Sequence, residues 1–197
     1  MKLSEQGFRR LCCDDMIAHK LAPELTRPDG TVMELGHWMG FPYEPQHTVR
    51  ASRYLACEKE ALKGILEHVE SLGHGFKEDI VIDTTGSVIY AGEDLLARLK
   101  QCAIIVHLST PPEVQELILK AYLTNRRPVL WRDLFAKETG EGNRAALERC
   151  YPRLLATRER LYRHYADVTV DYYTVNRKGF GVSDLLGQVD IRKEKDQ

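Results

Sequence analysis

The sequence has no apolar run near the ~20 residues that a bilayer-crossing helix requires. Its opening, MKLSEQGFRR, has no hydrophobic stretch of signal-peptide length. A helical membrane span is excluded, and the expected compartment is the cytoplasm. Neither charge is in surplus: 28 basic residues stand against 29 acidic ones. Nucleic acids and anionic membranes usually select a basic excess, so neither partner is expected. Cysteine comes without pattern. Cys12, Cys13, Cys57, Cys102 and Cys150 are odd in number and lack CxxC spacing, which fits reduced thiols better than disulfides or zinc. No HxxxH pair or H-E-x-x-H occurs among the histidines, so no metal centre is expected from them. Gly73-His74-Gly75 reads as a turn, and His107, inside an apolar run, as a core imidazole. No Gly-x-Ser-x-Gly nucleophile motif, internal repeat or low-complexity tract is present.

What is present is an alternation of short apolar runs with long amphipathic stretches, the pattern of an α/β domain with a mostly parallel sheet. Residues 1–189 read as a single domain and 190–197 as a charged tail. Residues 2–7 look like the end of a helix stopped at Gly7. Arg10–Cys13 is a strand, Met16–Leu25 a helix, and 30–46 an irregular stretch with room for a short helix around Met33. Val49, Tyr54, Leu55, Leu62, Ile65, Leu66 and Val69 form a helical stripe over His47–Leu72. Ile80-Val81-Ile82 and Ala103–Leu108 are continuous apolar runs, expected as strands buried on both faces. Helices are expected over Glu93–Gln101, from a Thr110 hydroxyl cap to about Leu123, from an Asn143 cap to about Ala166, and over Val182–Val189. Residues 124–142 break the pattern and read as a mobile loop or lid, with a helical turn near Asp133. Val168–Asp171 is the last strand.

Three places carry chemistry. Asp14 follows a strand, where open α/β sheets bind ligands and a carboxylate accepts bonds from a substrate hydroxyl. Equally, Asp14 or Asp15 serves as a helix cap. Thr84-Thr85-Gly86-Ser87 follows a buried strand, and its small residues allow backbone amides to approach an anion. As a turn it also needs no further purpose. Nine arginines lie between 126 and 163, and guanidinium is a planar fork for phosphate and carboxylate. Interleaved glutamates make most of them a solvated face. Arg127, before Pro128 in the loop, and Arg158, midway along the following helix, stand apart.

Taken in order, the strand ending in Asp14-Asp15-Met16-Ile17, then IVIDTTGSVIY, AIIVHLSTPPEV, NRRPVLW and TRERLYRHYADVTVD resemble shikimate kinase over about residues 3–171. That family belongs to the nucleoside-monophosphate-kinase-like P-loop enzymes. The resemblance implies a three-layer α/β fold. It also implies ATP and Mg2+ as the phosphoryl source, a small-molecule acceptor, and a place in aromatic amino acid biosynthesis. Asp14 then corresponds to the carboxylate that binds and activates the acceptor hydroxyl. Thr85 and Gly86 correspond to the turn beneath the substrate, Arg127 to the loop arginine that reaches the nucleotide phosphates, and Arg158 to the arginine that pairs with the substrate carboxylate.

The chain also departs from the family. Cys12 stands where an aspartate assists magnesium, and Leu55 where a second substrate arginine stands, with Arg53 or Arg50 as substitutes reaching round the helix. Thr84 and Thr85 replace glycines. The first strand and its Gly-x-x-x-x-Gly-Lys-Ser/Thr loop have no counterpart. In the family's strand order, 2-3-1-4-5, the absent strand is the central one. The expectation is an N-terminally shortened kinase that is inactive as it stands, from which roughly 15–20 residues carrying that strand and loop are missing. The alternatives are a pseudokinase acting as a ligand-sensing or partner-binding module, and a structural domain whose arginines are surface charge.

Overall fold

The computed structural model describes residues 3–73 and 78–195; the Gly73-His74-Gly75 turn falls partly outside them, as do the last two residues of the tail. Its strands are Arg9–Cys12 (β1), Ile80–Asp83 (β2), Val106–Ser109 (β3) and Val168–Asp171 (β4). They form two separate parallel ladders, β1 with β2 and β3 with β4. In the first, Arg9 faces Ile80 and Cys12 faces Asp83; in the second, Val106 faces Val168 and Ser109 faces Asp171. The architecture is mixed α/β, with helices packed on two short parallel sheets. Among the described residues neither sheet has a third strand, so each of the four strands keeps one unpaired edge.

That arrangement corrects the expectation of strands buried on both faces. Ile80, Val81, Ile82, Ile104, Ile105 and Val106 are only half-buried, and Leu108 is 52% exposed. A parallel strand is covered on both faces only when its neighbours and their crossover helices are in place. Here, among the described residues, every strand has a neighbour on one side only.

The helices are Cys13–Lys20 (α1), Ala22–Leu25 (α2), Leu35–Met39 (α3), His47–Ser71 (α4), Glu93–Cys102 (α5), Pro112–Thr124 (α6), Asn143–Tyr165 (α7), Tyr172–Val175 (α8) and Val182–Lys195 (α9). The expected Met16–Leu25 helix starts earlier and breaks at Leu21. Pro23 suits the first turn of a new helix but not the interior of a continuous one. Thr110 and Asn143 do not cap. Pro111 and Gly142 occupy the cap positions instead, and neither makes a side-chain bond. Asp171 is a true cap, its carboxylate accepting from the Thr174 amide at 2.9 Å, and it starts the unforeseen α8. The backbone of α9 runs on into the expected tail.

The 25-residue α4 follows its apolar stripe except at Val49, which is 73% exposed. Tyr54, Ala61, Leu62, Ile65 and Leu66 are buried, and so is Glu58. Among the described residues no helix is long and apolar enough to cross a membrane.

Residues 125–142 form no helix or strand, and their centre is packed rather than free. Val129, Leu130 and Trp131 are buried, Trp131 beside Tyr122 and Tyr151. The outer part is held to α7, where Arg149 pairs with Glu141 at 2.8 Å and donates to the Ala136 carbonyl at 2.7 Å. Pro152 lies inside α7, one turn beyond that anchor.

Gly36 fixes how closely α3 meets this segment. A Cβ there would lie 2.0 Å from the Arg126 carbonyl oxygen. Backbone atoms yield poorly, so Gly36→Ala is expected to cost about 1–3 kcal/mol by overpacking. Urea denaturation checks it; an unchanged midpoint would show that the segment shifts freely.

Candidate functional site

The C-terminal ends of β1 and β2 lie side by side, so the segments that follow them share one edge of the sheet. Asp14 is the second residue of α1, exposed, with no side-chain capping bond at that helix start. Its carboxylate instead accepts a hydrogen bond from the buried Tyr54 hydroxyl on α4, at 3.1 Å. Burial, with Asp14 nearby, raises the Tyr54 phenol above its ordinary range and keeps it a donor.

After β2, the turn Thr84–Ser87 is held from beneath. Thr85 is 7% exposed; its hydroxyl meets the Glu58 carboxyl and lies 3.0 Å from the Ser87 hydroxyl. The Ser87 amide donates back to the Thr85 oxygen at 3.1 Å. The Thr85 side chain is therefore structural, and neighbouring Gly86 is the exposed residue of the turn, with Thr84 half-buried beside it. Gly86 lies tight against α7: a Cβ would meet the Tyr162 hydroxyl at 3.3 Å and Arg158 Nη1 at 3.4 Å, so those two side-chain ends would have to give slightly. The Tyr162 hydroxyl donates to the Gly86 carbonyl, tying the turn to α7.

Arg158, one turn before Tyr162 on α7, is 8% exposed. Its Nη2 donates to the Leu130 carbonyl at 2.9 Å, and its Cζ lies 5.8 Å from the Tyr90 ring centre. Its Nε has no hydrogen-bond partner, nor do Glu58 Oε2 or the Tyr90 hydroxyl. Three buried polar atoms without partners around one turn are unusual, because buried polar groups are nearly always satisfied.

Glu58 is the residue that sequence reading missed. It is fully buried, and burial pushes its carboxyl up to about 7; the Ser87 hydroxyl and the Arg158 charge pull the other way. The signal was its position, four residues after Tyr54 and four before Leu62, on the apolar face. A second omission is Arg132. It is a non-glycine residue at φ 55°, and its guanidinium lies 5.6 Å from the centre of the same Tyr90 ring that Arg158 approaches. Strained backbone of this kind tends to gather at working sites.

Of the expected site residues, the structure joins Asp14, Thr85, Gly86 and Arg158 through Tyr54, Glu58 and Tyr162. It does not bring in two others. Arg53 points to Glu24 on α2, at 3.0 Å, and both side chains are largely in solvent. Arg127 is exposed and contacts none of these groups; its neighbour Arg126 is the anchored one, 3.2 Å from Glu44 and 4.3 Å from the Phe41 ring centre. Arg50 is also spent, on the Trp38 carbonyl and ring. Leu55 packs against the apolar core.

Cys12 is buried and accepts from Arg10, which also binds Asp83 at 2.6 Å. Cys13 is buried, and its thiol is pushed up to about 12 by that burial, so it is an inert core residue. Among the described residues no group of three or more His, Cys, Asp or Glu side chains could hold a metal ion.

A cavity of about 350 Å3 adjoins the turn, between the segment after β2 and the strand β3. His107 lines it, 9% exposed, with Nε2 3.3 Å from Glu159 and its ring against Tyr162. It is not the fully satisfied imidazole expected, because Nδ1 has no partner. Burial lowers its pKa against the pull of Glu159, which favours the neutral ring.

No family model matches this sequence, and no curated protein matches it.

Proposed function

We propose that this chain is the acceptor-binding part of a small-molecule phosphotransferase of shikimate kinase type, with a P-loop-kinase-like fold. What carries the reading is one observation: an exposed carboxylate, a glycine turn and a buried guanidinium converge from three separate elements at the C-terminal ends of parallel strands. Asp14 would orient the acceptor hydroxyl and take its proton, with Tyr54 holding the carboxylate in place. The exposed Gly86 backbone lets the acceptor approach the turn closely, and Arg158 holds an anionic group of the acceptor. Arg127 is free to swing toward transferring phosphate, and transfer of this kind depends on positioning and charge stabilisation. The split of the sheet into two ladders supports the same reading, because it falls where that fold has its central strand. No group described here other than Arg127 is assigned to ATP or Mg2+, and the 197-residue chain by itself should turn over little or no ATP.

The test uses the chain completed by its upstream coding sequence, assayed for ATP-dependent phosphorylation of shikimate and of related hydroxylated acids and neutral polyols. Asp14→Asn is expected to lower kcat by about 100-fold, the scale of a lost general base. An unchanged kcat would reject the role. A second reading, a ligand-sensing or partner-binding pseudokinase, is favoured by the buried Cys12 and by Leu55, half-buried against the core, where the family keeps polar residues. It predicts acceptor binding without turnover in the completed chain.

A further inference from the structure

The cavity beside the glycine turn is walled by the segment after β2 and by α5, β3, α6 and α7. At about 350 Å3 it lies within the size range of small-molecule pockets. Ile89, Leu96, Leu99, Ile105, Ile118 and Leu155 give it aliphatic walls. Apolar cavities smaller than this stay dry and take up single-ring guests. The cavity meets the candidate acceptor site along Gly86 and Tyr162, while Asp14 and Arg158 stand outside its lining. It is a neighbouring space, not the acceptor site itself.

The charge of an occupant follows from the same walls. Among the described residues, no lysine or arginine lines the cavity. Its one carboxylate, Glu159, is already engaged, with His107 Nε2 3.3 Å from one oxygen and Arg163 Nε 2.7 Å from the other. An ion buried without a partner costs far more than a neutral group, so the occupant is uncharged. Its polar end is set by His107, which is 9% exposed. Burial favours the neutral ring. A carboxylate only accepts, so the proton sits on Nε2, facing Glu159, and the lone pair stays on Nδ1. That Nδ1 has no hydrogen-bond partner, although buried polar groups are nearly always satisfied. The Thr84 and Thr110 hydroxyls and the Gln115 amide, in the same wall, also make no hydrogen bond within the described residues.

We infer that this cavity is a binding site for an uncharged, largely apolar small molecule that carries one N–H or O–H donor. Its apolar body packs against the aliphatic walls, and its donor bonds to His107 Nδ1. A ligand with no donor leaves that nitrogen unpaired and binds more weakly. Gly86 and Tyr162 belong to the wall, so a bound molecule also braces the turn against α7. The site stands on the cavity and the His107–Glu159 pair, and does not need phosphotransfer.

The experiment is a fluorescence titration of the 197-residue chain with N-phenylnaphthylamine, a neutral, apolar probe with a single N–H. The probe brightens on leaving water, and saturable binding of one molecule per chain is expected. Its N-methyl derivative, which lacks the donor, should bind roughly tenfold more weakly, the scale of one buried acceptor left unpaired. In His107→Phe the two probes should bind equally. Ile118→Trp, which fills the space, should abolish binding of both. Should either variant fail to fold, methyl NMR of the parent chain decides: signals of Ile89, Leu99, Ile118 and Leu155 should shift on addition of the probe. Absence of saturable binding, equal affinity of the two probes for the parent, or full binding by a folded Ile118→Trp would overturn the inference. Tighter binding of a sulfonated, anionic naphthylamine, or methyl shifts confined to other residues, would overturn it too. No activity is read, so the kinase reading and this site stand or fail separately.

Discussion

Truncating Arg158 to alanine is expected to cost about 1.5–3 kcal/mol of stability through its hydrogen bond, the scale of a bond made by a charged donor, with a further loss at pH 8 through Glu58. Two losses add. The Leu130 carbonyl loses its donor at 2.9 Å, and the fully buried Glu58 loses the positive charge that opposes its desolvation. The second loss applies only while Glu58 is ionised. At pH 5 the carboxyl is neutral, so the cost should shrink toward that of the lost hydrogen bond and packing. Urea denaturation of both proteins at the two pH values gives the comparison. An equal cost at pH 5 and pH 8 would show that Arg158 and Glu58 do not sense each other.

The second large effect is the pH profile that Glu58 imposes. Its carboxyl titrates near 7 in the folded chain, against 4.5 when unperturbed, so folding favours the protonated form. The contribution is whole below about 4.5 and is lost as pH rises, the loss being complete once pH has passed about 7. A tenfold change in proton affinity is worth about 1.4 kcal/mol, so the fall across that window is on the order of 3 kcal/mol. Glu58→Gln keeps an oxygen for the Thr85 hydroxyl and cannot ionise. Its stability should be flat over the window, matching the parent near pH 4.5 and exceeding it at pH 8. Parallel profiles for parent and variant would place the titrating group elsewhere.

Much of the helical framework was legible because its signals are local. The stripe over 47–72 and the strand 168–171 follow from period and composition, and both emerged nearly as expected. Asp171 as a cap was equally readable, since an acid directly before a helical turn is a frequent arrangement, but α8 is too short to show a period of its own. The burial of Ile80–Ile82 and Ile104–Val106 was not readable. Apolarity says what a strand wants to touch, and only the fold says whether a neighbour is there. Glu58 escaped because one acid among the lysines and glutamates of α4 looks like solvated surface. Its place on the apolar stripe was the one sign of burial in the sequence, and what it is buried against, Thr85 from a distant turn, was not visible there. Arginines were over-read for the same reason: identity and order picked out Arg53 and Arg127, while Glu24 and solvent had already claimed them.

Pro152 gives α7 an uneven stiffness. With no amide hydrogen at that position, the carbonyl four residues earlier has no helical donor, so bending there breaks nothing. On one side of the weak point sits Arg149, fastened to residues 136–141; on the other sit Arg158 and Tyr162, fastened to Leu130 and Gly86. A tug on the outer loop therefore arrives at the glycine turn as a rotation about a pivot, with the two anchors moving through arcs instead of sliding together along a rod.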